Sequence, residues 1–150
     1  NGMALDAHME YERVGGLIQV VERLPELRVV VNHTLGGRLS RGGMADPRWT
    51  EAIHRVAEYP GVYCMVSALV QSAPATAEGD YYVPILDVLW EAFGEDRIIY
   101  GSNWPVCERA ASYATVLNIV TEYFKAKGET VTDKFFSENA RAAYKWIDRT

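Results

Sequence analysis

Residues 97–107 read RIIYGSNWPVC. Residues 98–100, Ile-Ile-Tyr, are a β-branched and aromatic run suited to a buried strand. The run stops at Gly101-Ser102, and a lone amide, Asn103, stands just before Trp104-Pro105. Proline cannot donate to a sheet ladder, so the strand must end here. A buried strand that delivers a polar side chain at its C-terminal end is the arrangement that parallel α/β sheets use to line a ligand site.

Reading outward from this strand, the same unit recurs. Residues 81–93 before it carry Val83, Ile85, Leu86, Val88, Leu89 and Phe93 at helical spacing, with Gly94 as the stop. Residues 62–70 are another β-branched run. Before them a helix is expected over 47–59, with Pro47 at its first position, Asp46 as its cap, and Trp49, Ile53, Val56 and Ala57 on one face. Residues 27–33, Leu-Arg-Val-Val-Val-Asn-His, suit a strand buried on both faces. Residues 11–24 show a further helical stripe, weakened by Gly15-Gly16, and residues 3–8 a first strand. Downstream, helices are expected over 112–127 and 132–147.

Strands alternating with helices imply parallel strands joined by right-handed crossovers. Two architectures satisfy the pattern. One is half of a (β/α)8 barrel and the other is a four-stranded doubly wound parallel sheet. Periodicity alone does not separate them.

Each expected strand ends near a chemically useful group. The first leads to His8, the second to Asn32 and His33, the third into Ser67, and the fourth to Asn103. His33 follows three valines and precedes a glycine-rich loop, which suits a ligand or a general acid/base. Asn32 and Asn103 are alternatively residues that turn the backbone, because asparagine tolerates left-handed geometry. Arg38 and Arg41, in the loop with Gly36, Gly37, Gly42 and Gly43, are candidates for holding a substrate carboxylate. Trp104 is the tryptophan expected near a ligand, whereas Trp49, Trp90 and Trp146 read as core and His54 as solvated.

The bulk properties narrow the classes. With 49% apolar and 23% charged residues the chain is an ordinary globular one rather than a disordered one. A net charge of −5 with no basic block argues against nucleic acid. No apolar run approaches the ~20 residues of a membrane span. Cys64 and Cys107 have no metal-site spacing, and two reduced thiols in a cytoplasmic protein are expected.

Four motifs carry a family resemblance: RVVVNHTLGG at 28–37, PGVYCMVSAL at 60–69, FGEDRIIYGSNWPV at 93–106 and ENARAAY at 138–144. Taken together, the chain resembles the C-terminal half of the amidohydrolase-related family of (β/α)8 TIM-barrel hydrolases, metal-dependent hydrolases that include lactonases and some decarboxylases. The resemblance implies that the four strands are strands five to eight. It places His33 at the sixth-strand histidine, Asn103 at the eighth-strand acid, and His8 at the fifth-strand histidine. His8 and His33 are then candidate ligands of a divalent metal, Zn or Mn, although members also work without one. His33 and Asn103 become the catalytic candidates, and Asn32, Ser67, Arg38, Arg41 and Trp104 the substrate-binding ones.

Two departures stand out. The first-strand HxH of the family is absent, and a full barrel needs ~250 residues against the 150 here. Residues 1–150 are therefore expected to form a single partial domain, a fragment that needs its missing barrel half or self-association. Alone, it is expected to be inactive. The second departure is Asn103. The family's aspartate takes a proton from the attacking water, and an amide cannot do so near neutral pH. The expected activity is hydrolysis of a small carboxylate-bearing lactone, ester or amide. The alternatives are a non-catalytic ligand-binding or scaffold domain, a decarboxylase, and an independent nucleotide- or effector-binding domain.

Overall fold

The computed structural model describes residues 2–37, 39, 43–73 and 79–145. Four strands, β1 (Ala4–Ala7), β2 (Arg28–Val31), β3 (Val62–Val66) and β4 (Ile98–Tyr100), form one sheet in the order β1-β2-β3-β4. All three pairings are parallel. Val31 lies beside Ala7 on one side and Cys64 on the other, and Cys64 lies beside Ile98. A doubly wound sheet reverses its strand order part-way. This order never reverses, so right-handed crossovers carry the connecting helices to one face. The sheet is a segment of a (β/α)8 barrel, and the doubly wound alternative is excluded.

The connecting helices are α1 (Val14–Arg23), α2 (Pro47–Ala57) and α3 (Val83–Phe93), and α4 (Tyr113–Lys125) follows β4. The Gly15-Gly16 pair does not break α1, because Val14, Leu17, Ile18 and Val21 bury one face of it. At α2, Asp46 accepts a 2.8 Å hydrogen bond from the Arg48 backbone N–H, and Pro47 fills the first position. At α4, Ser112 Oγ accepts from the Thr115 N–H at 3.2 Å. Gly94 ends α3 at φ +64°.

Two expectations need adjusting. β3 ends at Val66, because Ala68 turns left-handed at φ +57° and takes the chain out of the ladder. The final helical segment starts earlier than expected, right after Gly128. It runs through α5 (Glu129–Asp133), one wide π turn (Lys134–Glu138) and α6 (Asn139–Tyr144). The π turn carries Phe135, whose ring stacks on Phe124 with centroids 3.7 Å apart. Residues 146–150, including Trp146, lie outside the described residues, as do Arg38 and Arg41.

The helix-side core joins Val29, Val31, Val62, Cys64 and Ile98 to Leu17, Ile53, Val56, Leu86 and Leu89. Each fully buried residue of this kind stabilises the fold by about 1.5–3 kcal/mol. On the opposite face Val30 and Ile99 are covered by Ala143, with Tyr63, Met65, Ala140 and Tyr144 around them. Cys64 and Cys107 are buried and unpaired, and burial pushes the Cys64 thiol pKa well up. Among the described residues no helix is long and apolar enough to cross a membrane.

Candidate active site

The C-terminal ends of the four strands form one rim. β1 leads to His8 and β2 to Asn32-His33. Asn32 is anchored there by its N–H, which donates to the Ala7 carbonyl at 2.9 Å. His33, Thr34 and Leu35 then adopt three consecutive left-handed conformations, at φ +53°, +53° and +52°. Each such residue costs about 1–3 kcal/mol, so the surroundings must over-determine the turn. They do. Trp49 Nε1 donates to the Thr34 carbonyl at 2.7 Å, Thr34 Oγ1 donates to the His33 carbonyl at 2.6 Å, and Leu35 is fully buried.

The turn brings His33 against two neighbours. Its ring meets that of His8 edge-on, with centroids 4.8 Å apart and planes at 86°. Its Nδ1 lies 2.7 Å from Ser67 Oγ, and its backbone N–H donates to the same oxygen at 3.2 Å. Burial, and the charge His8 carries when protonated, both lower the His33 pKa from its ordinary value, which favours the neutral imidazole.

Ser67, expected among the substrate contacts, is 2% exposed, and its hydroxyl is occupied by His33. β4 approaches closely here. A Cβ on Gly101 would lie 2.7 Å from Met65 Sδ and 3.1 Å from Ser67 Cβ, so a larger residue would have to displace Met65 and press on Ser67. Past it, Asn103 stands at φ +55°, and its carbonyl accepts from the Cys107 N–H at 3.0 Å. The strand order sets Asn103 two strands from His33, about 10 Å at ordinary sheet spacing. Trp104 is largely exposed beside it, and the Trp104–Pro105 peptide is cis.

Asn32 differs from its neighbours: its buried Oδ1 has no hydrogen-bond partner among the described residues. A buried acceptor without a donor is costly, and a bound ligand can supply one. The rim therefore carries an imidazole whose neutral form is favoured, an open amide oxygen and a second amide. The structure brings His8 and Ser67 each against His33. Asn32 and Asn103 share the rim, and Arg38 and Arg41 lie outside the described residues.

The comparisons with known proteins agree with this geometry. The amidohydrolase family model matches residues 1–146. This chain belongs to the amidohydrolase family. It is 28% identical over 93% of its length to the L-fucono-1,5-lactonase of Burkholderia ambifaria, and covers 46% of that protein. It is 34% identical over 58% of its length to the L-fucono-1,5-lactonase of Burkholderia multivorans, covering 31% of it. A Burkholderia multivorans amidohydrolase solved with bound zinc superimposes with a TM-score of 0.84 at 25% identity, over 95% of this chain and 52% of that one. Amidohydrolase 2 from Bifidobacterium longum subsp. infantis gives a TM-score of 0.73 at 25% identity, over 97% of this chain and 50% of that one. The chain thus spans about half the length of the relatives it matches or less.

The zinc of that neighbour raises the question of whether these residues would hold one. A zinc site needs three or four N, O or S ligands. No group of three His, Cys, Asp or Glu suited to a metal occurs among the described residues. The eighth-strand position holds Asn103 in place of a carboxylate, and His33 commits Nδ1 to Ser67. The donors described here do not make a metal site by themselves.

Proposed function

We propose that this chain is the C-terminal half of a barrel hydrolase that opens a small carboxylate-bearing lactone, ester or amide by water attack on the carbonyl. The observation that carries the reading is the edge-on pair His8 and His33 on adjacent strand ends, in a chain of the amidohydrolase family. The two relatives named L-fucono-1,5-lactonase make sugar lactones the first substrates to try, L-fucono-1,5-lactone among them.

In this reading His33 polarises the substrate carbonyl oxygen, where charge develops as water adds. Asn103 orients the water or the substrate but cannot take its proton. The base therefore comes from the other barrel half. Water adds to the carbonyl carbon, the ring C–O bond breaks, and the proton lost by the water ends on the leaving hydroxyl. Asn32 Oδ1 accepts a hydrogen bond from the substrate, Trp104 borders it, and Arg38 or Arg41 holds its carboxylate. A zinc or manganese ion at His8 would draw its remaining ligands from the other half.

Residues 1–150 are read as one partial domain that requires its partner half. Large apolar side chains are exposed along both sides of the sheet. Met3, Leu5, Val20 and Leu24 lie on or beside β1 and α1, and Trp104, Val106 and Tyr113 follow β4. An open barrel leaves such edges uncovered. The free buried thiols Cys64 and Cys107 fit a reducing, cytoplasmic setting.

The test is a panel of lactones, esters and amides given to the full-length protein and to residues 1–150 alone. Lactone turnover by the full-length protein, none by the half, and an about 10³-fold fall in kcat for His33→Ala are expected. Absence of turnover across the panel contradicts the reading. Saturable binding of the acids without turnover would favour the second reading, a non-catalytic binding domain, which Asn103 supports. Release of carbon dioxide would point to a decarboxylase.

A further inference from the structure

We propose that Ser67 is the positioning residue for His33: its hydroxyl donates to Nδ1 and fixes the neutral ring with its hydrogen on Nε2, so that His33 meets a substrate as a hydrogen-bond donor. The inference rests on the reading of His33 as the carbonyl-polarising group, and it names what makes that role available.

A count of hydrogens fixes the direction of the bond. A serine hydroxyl has one hydrogen to give and two lone pairs. Ser67 Oγ already accepts from the His33 backbone N–H at 3.2 Å. Among the described residues, its own hydrogen has one acceptor within reach, His33 Nδ1 at 2.7 Å. At 2% exposure the hydroxyl cannot turn to bulk water instead. The opposite assignment, with Nδ1–H donating to Oγ, sends two hydrogens to the oxygen and leaves its own buried and unpaired. Folded proteins avoid that arrangement.

The same oxygen grips both the backbone and the ring of His33, so the imidazole is held at two points. Ser67 is fixed in turn. Ala68 beside it sits at φ +57°, and β4 packs close at Gly101, where an added Cβ would lie 3.1 Å from Ser67 Cβ. His8, edge-on at 4.8 Å, limits rotation from the other side. With Nδ1 accepting and Nε2 protonated, the ring offers a donor to an oxygen and no lone pair to a metal ion or a water proton.

The experiment is a ¹⁵N spectrum of histidine-labelled full-length protein at mildly alkaline pH, with His33 assigned through His33→Gln. A pyridine-type Nδ1 and a pyrrole-type Nε2 are expected in the wild-type protein. Ser67→Ala is expected to show both tautomers and to lower kcat on the hydrolysed lactone about 10-fold with KM unchanged. A pyrrole-type Nδ1 in the wild-type protein overturns the proposal, as does an unaltered His33 signature or unaltered kcat in Ser67→Ala. The wild-type spectrum depends on neither the variant nor a substrate. Failure to find any lactone turnover would therefore count against the proposed function and leave the tautomer result standing.

Discussion

The two ends of the sheet differ in how completely their polar side chains are satisfied. At the N-terminal end they bond to the backbone. Arg97 donates from Nη1 to the carbonyls of Ala57, Tyr59 and Val62, at 2.9, 3.2 and 3.1 Å. Asn139 Nδ2 donates to the carbonyls of Glu95 and Ile98 at 2.7 and 2.9 Å. Arg28 Nε donates to the Ala143 carbonyl at 2.6 Å and ties α6 under the sheet. At the C-terminal end the buried Asn32 Oδ1 has no partner among the described residues, and His33, Ala68 and Asn103 hold left-handed backbone. The lower end uses its polar groups to join elements. The upper end also ties its turn through Thr34, Trp49 and Ser67, but it leaves the Asn32 amide oxygen open on a strained backbone, which is where barrel folds place chemistry.

Substitutions can break this contrast at either end. The largest expected effect on stability is at the bottom. Arg97→Met takes the side-chain donor from three buried or half-buried carbonyls, of which that of Tyr59 still accepts from the Val62 N–H, and should lower unfolding stability by about 3 kcal/mol in urea denaturation of the full-length protein. Asn139→Ala should cost about 2 kcal/mol by the same measurement, since both carbonyls it serves lose a partner. Neither change should alter the KM of the folded protein.

At the top the order inverts, with function lost and stability kept. Asn103→Gly suits φ +55° while deleting the amide. It should lower kcat about 10-fold, equal to ~1.4 kcal/mol on the barrier, with an unfolding midpoint no lower than that of the wild-type protein. Ala68→Gly should raise stability by about 1 kcal/mol, because alanine at φ +57° is strained. A loss of stability there would mean that the left-handed turn carries no strain.

Much of this contrast was legible in the chain itself, and the reasons differ by element. Val29–Val31, the Asp46-Pro47 helix start and the Gly94 stop are local signals, and each appears where its spacing predicts. The strand-end position of His33 followed from its place after the valines. The choice between barrel and doubly wound sheet did not, because strand order is a property of pairing and not of periodicity. Ser67 was expected among the substrate contacts. Its bond to His33 crosses from one strand end to another, and no spacing along the chain encodes that. Arg97 and Asn139 left no sign either, since backbone carbonyls, which have no sequence signature, are their partners.

The central claim is that the upper rim is the ligand site and the lower end is scaffold. One spectrum tests it, the side-chain amide signals of Asn32, Asn103 and Asn139 in the full-length protein during titration with the hydroxy acid released from its lactone. Saturable shifts of Asn32 and Asn103 are expected, with Asn139 unmoved. Saturation of binding with Asn32 and Asn103 unmoved, or with all three shifting alike, would contradict the claim.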